Sequence, residues 1–316
     1  MKERQLRALV LGGRGFLGRS VAAALAAKGH GVEVGSRSLR RTGFGFRVRP
    51  TRFEEHLTPE AWQRAIEGVD VVVNCVGILR QRGRETFDRI HHHAPAALAS
   101  ACARSGLRFV HVSALGLSLA ARSRFITSKL RGQEAIRASG ADCTIVRPSL
   151  LEGEGGFGAR WLHAMALLPV HCVPADAAGR IAVLHVDDAG MAIARLCELP
   201  GRDHPEAELG GSDWRTLAGH LATLRGGPVP VVPVPAAVAR IASHVCDLAH
   251  WSPFSFGHLE LLRHDNVPRR DDLALLLGRA PRRVTAVRAA ASARYPAILP
   301  PTQARDGGNT PSARAP

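Results

Sequence analysis

Gly12, Gly13, Gly15 and Gly18 follow directly on the apolar run Ala8-Leu9-Val10-Leu11. Two registers overlap: G-x-x-G-x-x-G on Gly12, Gly15 and Gly18, and G-x-G-x-x-G on Gly13, Gly15 and Gly18. At the exit of a strand this spacing lets the chain turn tightly and lets backbone approach a pyrophosphate. At Gly18 it lets helix and strand pack closely. The helix that follows, starting near Phe16 and Leu17, aims free N–H groups at an anion. The chemistry is that of a dinucleotide cradle, with Gly12, Arg14, Gly15, Phe16, Leu17 and Gly18 expected against the cofactor.

The end of the next strand selects among dinucleotides. An acidic side chain there suits the free ribose 2′-hydroxyl of NAD(H), and an arginine suits the 2′-phosphate of NADP(H). The chain offers Val34-Gly35-Ser36-Arg37-Ser38, then Arg40 and Arg41, while Glu33 lies too early. Ser36 and Arg37 are expected at the adenosine end, with Arg14 on the other side. This favours NADP(H) over NAD(H).

Other reactive types carry less. His91, His92 and His93 are consecutive on a helical pattern, so they point about 100° apart and cannot converge on one ion. Asp187 and Asp188 stand at a helix start, where carboxylates cap and favour the dipole. The six cysteines, Cys75, Cys102, Cys143, Cys172, Cys197 and Cys246, show neither C-x-x-C nor zinc spacing, and no metal site is expected. Four of them, Cys75, Cys102, Cys143 and Cys197, sit in apolar segments as core residues of a reducing compartment.

The elements that must position the cradle alternate. Strand-like runs cover 7–11, 31–36, 69–76, 108–114 and 142–147, and helical patterns cover 16–28, 59–67, 86–104 and 126–138. Thr58-Pro59-Glu60 opens the second helix. Alternation at this spacing predicts an α/β fold, a doubly wound parallel sheet of the Rossmann type, over residues 1–150. Beyond it the texture changes to glycine and proline punctuation, with Ile181–Val186 leading into Asp187–Leu199, and Val229–Val234 before a helix from Pro235 to Trp251. Residues 151–301 are read as a smaller C-terminal lobe, partly interleaved with the core. Residues 302–316 are read as a disordered tail.

Composition narrows the class. Of 316 residues 46% are apolar, and no run reaches the length of a membrane span. No signal core follows the N-terminus, so a cytoplasmic protein is expected. The net charge of +15 rests on 39 arginines against Lys2, Lys28 and Lys129, spread without a dominant block. With no nucleic-acid motif, no nucleic-acid partner is expected. The apolar stretch Val229–Trp251 leaves peripheral contact with the inner face of a membrane open.

Asn74-Cys75-Val76-Gly77, His111-Val112-Ser113-Ala114-Leu115-Gly116, Val146-Arg147-Pro148-Ser149 and Leu184-His185-Val186-Asp187-Asp188-Ala189 resemble an extended or atypical short-chain dehydrogenase/reductase. Asn74 to Leu79 followed by Thr86-Phe87, and Leu262 to Val267, are similar to the branch around the NADPH-binding accessory subunit of respiratory complex I. The resemblance covers residues 6–285. It implies that Asn74, Val76 and Gly77 flank the cofactor, that His91 stands before a helix facing it, within reach of contact, and that Ser113 and Lys129 are catalytic positions. In active members Ser orients a carbonyl, Tyr delivers a proton, and Lys lowers the Tyr pKa and binds the nicotinamide ribose. Here Phe125 holds the Tyr position, and the only tyrosine, Tyr295, is far along the chain. The resemblance therefore implies NADP(H) binding without ordinary reductase turnover. A structural, regulatory or assembly role linked to the respiratory chain or quinone metabolism follows, with a protein partner from that setting. The alternative is an NADPH-dependent reductase or epimerase that works without the Tyr.

Overall fold

The computed structural model describes residues 4–37, 45–249, 254–270 and 272–286. Arg40, Arg41, Trp251, Tyr295 and the 302–316 segment lie outside the described residues. In chain order the first half gives β1 (Arg7–Leu11), α1 (Phe16–Ala27), β2 (Gly31–Ser36), β3 (Arg47–Pro50), α2 (Pro59–Ile66), β4 (Val71–Asn74), α3 (Ala94–Arg104), β5 (Arg108–Val112), α4 (Arg124–Ala138) and β6 (Cys143–Pro148). The second half gives β7 (Leu151–Glu152), α5 (Phe157–Ala166), β8 (His171–Pro174), β9 (Ile181–Ala182), β10 (Leu184–His185) and α6 (Val186–Cys197). After these come β11 (Glu206–Leu209), β12 (Trp214–Arg215), α7 (Leu217–Arg225), β13 (Val231–Val234), α8 (Ala236–Ala249), α9 (Phe256–Leu262) and α10 (Asp272–Leu277).

Seven strands form one sheet in the order β3-β2-β1-β4-β5-β6-β11, every neighbouring pair parallel. Strand alternation divides the core into two layers. Ala8 and Val10 face α1 and α6, packing with Val21, Leu25 and Ile193, while Leu9 and Leu11 face α2 and α3, packing with Trp62 and Leu98. The chain runs outward from β1 through β2 to β3, then returns to the other side of β1 with β4. That reversal opens a crevice above the carboxyl ends of β1 and β4.

Two sheet members escape the strand patterns read from sequence. β3, Arg47-Val48-Arg49-Pro50, is short, basic and proline-terminated, which suits an edge. Arg49 holds it in place, pairing with Glu33 of β2 at 2.8 Å and donating to the carbonyls of Ala65 and Glu67 at the end of α2. β11 carries two glutamates. Glu206 pairs with Arg147 of β6 at 2.7 Å, so a charged strand from the second half completes the sheet. The helical pattern over 86–104 also divides. A π-helical turn over Asp88–His93 precedes α3. Pro95, near the start of α3, has no N–H to give and crowds the preceding carbonyls, and the wider turn accommodates it. The strand-like runs 69–76 and 108–114 prove shorter at their carboxyl ends, where Cys75 to Gly77 and Ser113 to Leu115 leave the sheet as loops.

Candidate functional site

The cradle is built by close approaches that a side chain would block. Gly12 turns with φ +72°, and a Cβ there would press on the Cys75 and Val76 backbone at 3.1 Å. A Cβ on Gly18 would collide with the Gly12 carbonyl oxygen. Gly15 is the N-cap of α1 and supplies no side-chain hydrogen bond, so the first-turn N–H groups stay open toward the crevice. The residues present therefore fit a pyrophosphate.

The opposite wall is the loop after β4. Asn74 is fully buried; its Oδ1 accepts from the Val76 N–H at 3.0 Å, and its amide lies 3.0 Å from His111 Nδ1. Asn74 thus shapes the Val76-Gly77 turn from behind, and it is these two residues that face the crevice. His91 acts similarly. Its Nε2 accepts from the Ile78 N–H at 3.2 Å and its Nδ1 lies 3.1 Å from Ser128 Oγ, so both nitrogens are engaged. Burial and the nearby Lys129 cation hold its pKa well below the usual value, leaving a neutral ring.

Phe125 sits in a closed seat. The Phe87 ring meets it edge-on at 5.8 Å and His91 at 5.5 Å, His258 lies 5.6 Å away, and a Cβ on Gly257 would press on it at 2.9 Å. One turn on, the Lys129 Nζ lies 5.5 Å from the Phe125 ring centroid. No hydrogen-bond or ion-pair partner is found for this ammonium among the described residues. Burial lowers its pKa from 10.5 to about 8.

Another turn along α4 lies Gln133, a residue that sequence patterns did not single out. Its Oε1 accepts from Arg147 Nε at 3.0 Å and Nη2 at 2.9 Å. That fixes the amide, and its Nε2 donates to Ser113 Oγ at 2.7 Å. With an oxygen lone pair so occupied, the Ser113 hydroxyl proton is free to be donated elsewhere.

Ser113, Phe125 and Lys129 all line one cavity of about 680 Å³, together with Gly15, Phe16 and Leu17 of the cradle and Val76 and Gly77 of the opposing loop. Much of its remaining wall comes from the second half of the chain and is mostly apolar: Trp161, Leu162, Met165, Leu217, Leu221 and Leu262, with Ala239 and Ala242 of α8. His258 and Asn266 supply polar points, and burial takes the His258 pKa down to about 4.

Ser36 and Arg37 lie at the carboxyl end of β2, as expected from sequence. Arg37 is exposed and paired with Glu85 at 2.7 Å. Arg14 is exposed beside the cradle. Asp187 and Asp188 do open α6, but the N-cap is His185, whose ring accepts from the Asp187 N–H. Asp188 is fully buried and pairs with Arg279 at 2.7 Å, and it also accepts from the Arg282 N–H at 2.6 Å. It clasps the 279–282 segment onto α6.

An NAD(P)H-binding family model matches residues 12–164. The ceramide reductase of Caulobacter vibrioides is 31% identical over 199 residues, 60% of this chain and 61% of that protein. The mitochondrial NADH dehydrogenase (ubiquinone) 1 alpha subcomplex subunit 9 of Dictyostelium discoideum is 30% identical over 217 residues, 66% of this chain and 60% of that protein. The chain therefore spans about three fifths of the length of these curated relatives. Among solved structures, MoeE5 in complex with UDP-glucuronic acid and NAD superposes with a TM-score of 0.62 at 17% identity, covering 90% of this chain and 99% of that one. At that identity the likeness speaks for the fold. Residues 12–164 thus match an NAD(P)H-binding domain, and the chain resembles proteins of the atypical short-chain dehydrogenase/reductase superfamily. Within that superfamily it resembles the branch of the complex I accessory subunit. No helix among the described residues is long and apolar enough to cross a membrane.

Proposed function

We propose that the chain holds NADP(H) in the β1–α1 cradle and presents its nicotinamide end to the apolar chamber, without the tyrosine-dependent proton delivery of ordinary members. One observation carries this reading: a single cavity joins cradle, Ser113 and Lys129, and Phe125 stands where the proton donor belongs. In it Gly12 and Gly15 admit the pyrophosphate, the α1 N-terminus opposes its charge, and Lys129 holds the ribose. Arg37 exchanges Glu85 for the 2′-phosphate. When bound, the nicotinamide would supply or receive a hydride. Ser113 would donate to a carbonyl oxygen there, but Phe125 has no proton to give. General acid catalysis is worth about 10²–10⁴-fold, so ordinary ketone reduction is expected to be very slow. The role is then structural, regulatory or assembly-related. The likeness to complex I subunits supports a place beside the respiratory chain, peripheral at the inner face of the membrane.

A second reading, an active reductase, is favoured by Lys129 itself. An ammonium with a pKa of about 8 is close to the value a general acid needs near neutral pH. The relative named ceramide reductase supports the same reading.

Calorimetry with NADPH and NADH tests the binding claim. NADPH is expected to bind about tenfold more tightly or better. Arg37→Ser is expected to remove the preference, and Glu85→Gln to strengthen it by freeing Arg37. Equal affinities in the unmodified protein would refute the preference. A turnover assay against aldehydes, ketones and quinones decides between the readings. NADPH oxidation at several per second, abolished in Lys129→Ala, would replace the first with the second.

A further inference from the structure

The chamber is chemically lopsided. Among the described residues that line it, Lys129 is the only cation and there is no carboxylate. A sugar nucleotide would bring a diphosphate and many hydroxyls, and this wall offers them almost nothing. Trp161, Met165, Leu217, Leu221 and Leu262 instead give a continuous apolar surface. Trp161 and Phe254 stack at 6.3 Å, with an interplanar angle of 9°, along the same wall.

One polar point is unmet. Asn266 lines the chamber, and its Oδ1 is buried with no hydrogen-bond partner. The rest of the residue is well held. Its backbone N–H donates to the Arg180 carbonyl, and its carbonyl accepts from Ala182 and Ser149. Its side-chain amide lies where a Cβ on Gly116, three residues beyond Ser113, would meet it at 2.8 Å. A buried acceptor of this kind is normally satisfied, so a ligand with a donor suits it. The acceptor, the Ser113 hydroxyl and the Lys129 ammonium all line the cavity whose other walls are mostly apolar.

We propose that the chamber binds a single long-chain lipid. Its head carries a carbonyl that accepts from Ser113 and Lys129, and a hydroxyl or amide N–H that donates to Asn266. Its tail lies between α5, α7 and α8. The proposal rests on the reading that the cofactor fills the cradle end of the same cavity. It separates this ligand from an isoprenoid quinone, which has carbonyls but no donor for Asn266.

The test is a calorimetric titration of the full chain, with and without NADPH, using three probes below their aggregation concentrations. Pentadecyl hydroxymethyl ketone has tail, carbonyl and donor; pentadecyl methyl ketone lacks the donor; hydroxyacetone lacks the tail. The first is expected to bind roughly 100-fold or more tightly than hydroxyacetone, because most of its methylenes leave water. It is expected to bind about tenfold more tightly than pentadecyl methyl ketone, and Asn266→Leu is expected to erase that difference. Ala242→Trp, on the exposed helix that walls the chamber, is expected to weaken both long probes about tenfold. The proposal is overturned if the long hydroxy ketone binds no better than hydroxyacetone. It is also overturned if both variants bind it unchanged, or if decylubiquinone binds more tightly. NADPH affinity on the same samples keeps the two claims apart. NADPH binding without lipid binding defeats only this inference. Lipid binding without NADPH binding defeats the cofactor reading.

Discussion

Replacing Lys129 by methionine is expected to stabilise the cofactor-free protein, and the size of the effect follows from the site. The ammonium is partly buried and has the Phe125 ring as its neighbour. Its pKa falls from 10.5 to about 8 through desolvation. At 1.36 kcal/mol for each pH unit, keeping the proton in the folded state at neutral pH costs roughly 3 kcal/mol. Partial solvent contact reduces this to about 2 kcal/mol. Below pH 8 both folded and unfolded chains carry the proton, and the full cost is present. Between pH 8 and 10.5 the unfolded chain binds a proton that the folded chain has released, so stability rises with pH. Above 10.5 the cost is gone. Methionine keeps the stem volume and carries no charge. Urea unfolding of both proteins, at pH 7 and again near pH 10, isolates this one group because the others cancel in the difference. The variant is expected to be about 2 kcal/mol more stable at pH 7, with the gap closing at the higher pH. A variant that is less stable at pH 7, or a gap that does not change with pH, would refute the claim that Lys129 is an uncompensated cation.

Three further outcomes follow from particular contacts. Gly18→Ala forces α1 away from the Gly12 carbonyl and is expected to cost about 1–3 kcal/mol in urea unfolding. It is also expected to abolish the roughly 2.7 kcal/mol stabilisation that NADPH gives at about 100 times its Kd. Gln133→Leu releases the Ser113 hydroxyl from its fixed direction, so calorimetry should show pentadecyl methyl ketone binding about fivefold more weakly. Ser113→Ala should match that loss, and the double variant should add nothing. Asp188→Asn leaves Arg279 and Arg282 without their buried carboxylate and is expected to cost roughly 3 kcal/mol, read by chemical unfolding.

The cradle was legible because its requirements are local. A turn at Gly12 and a close approach at Gly18 need only neighbouring backbone, and the glycine spacing records both. The alternation of β1, β2, β4, β5 and β6 with their helices was legible for the same reason. β3 and β11 were not, because short charged strands join a sheet only when a distant partner neutralises them, and Arg49–Glu33 and Arg147–Glu206 are tertiary pairs. Arg37 was visible at its strand end, but Glu85, 48 residues on, was not. Gln133, His258 and Asn266 are ordinary polar residues in sequence. Their importance comes from where the fold sets them: Gln133 against an arginine fork, His258 beside an aromatic ring, and Asn266 with its acceptor on the chamber wall.

The Arg147–Gln133–Ser113 chain has a consequence for proton traffic. An amide can normally face either way, and a hydroxyl can pass a proton along in either direction. Here the arginine of β6 claims the amide oxygen, so the amide nitrogen must face the serine. The serine oxygen receives a proton it cannot take over, and its own proton can point only away from α4. The row of bonds is therefore polarised from β6 toward the chamber. Ser113 is thereby disposed to grip an electron-rich atom with its own hydrogen. Proton exchange in this chamber is then left to other groups on its wall, Lys129 and His258 among them.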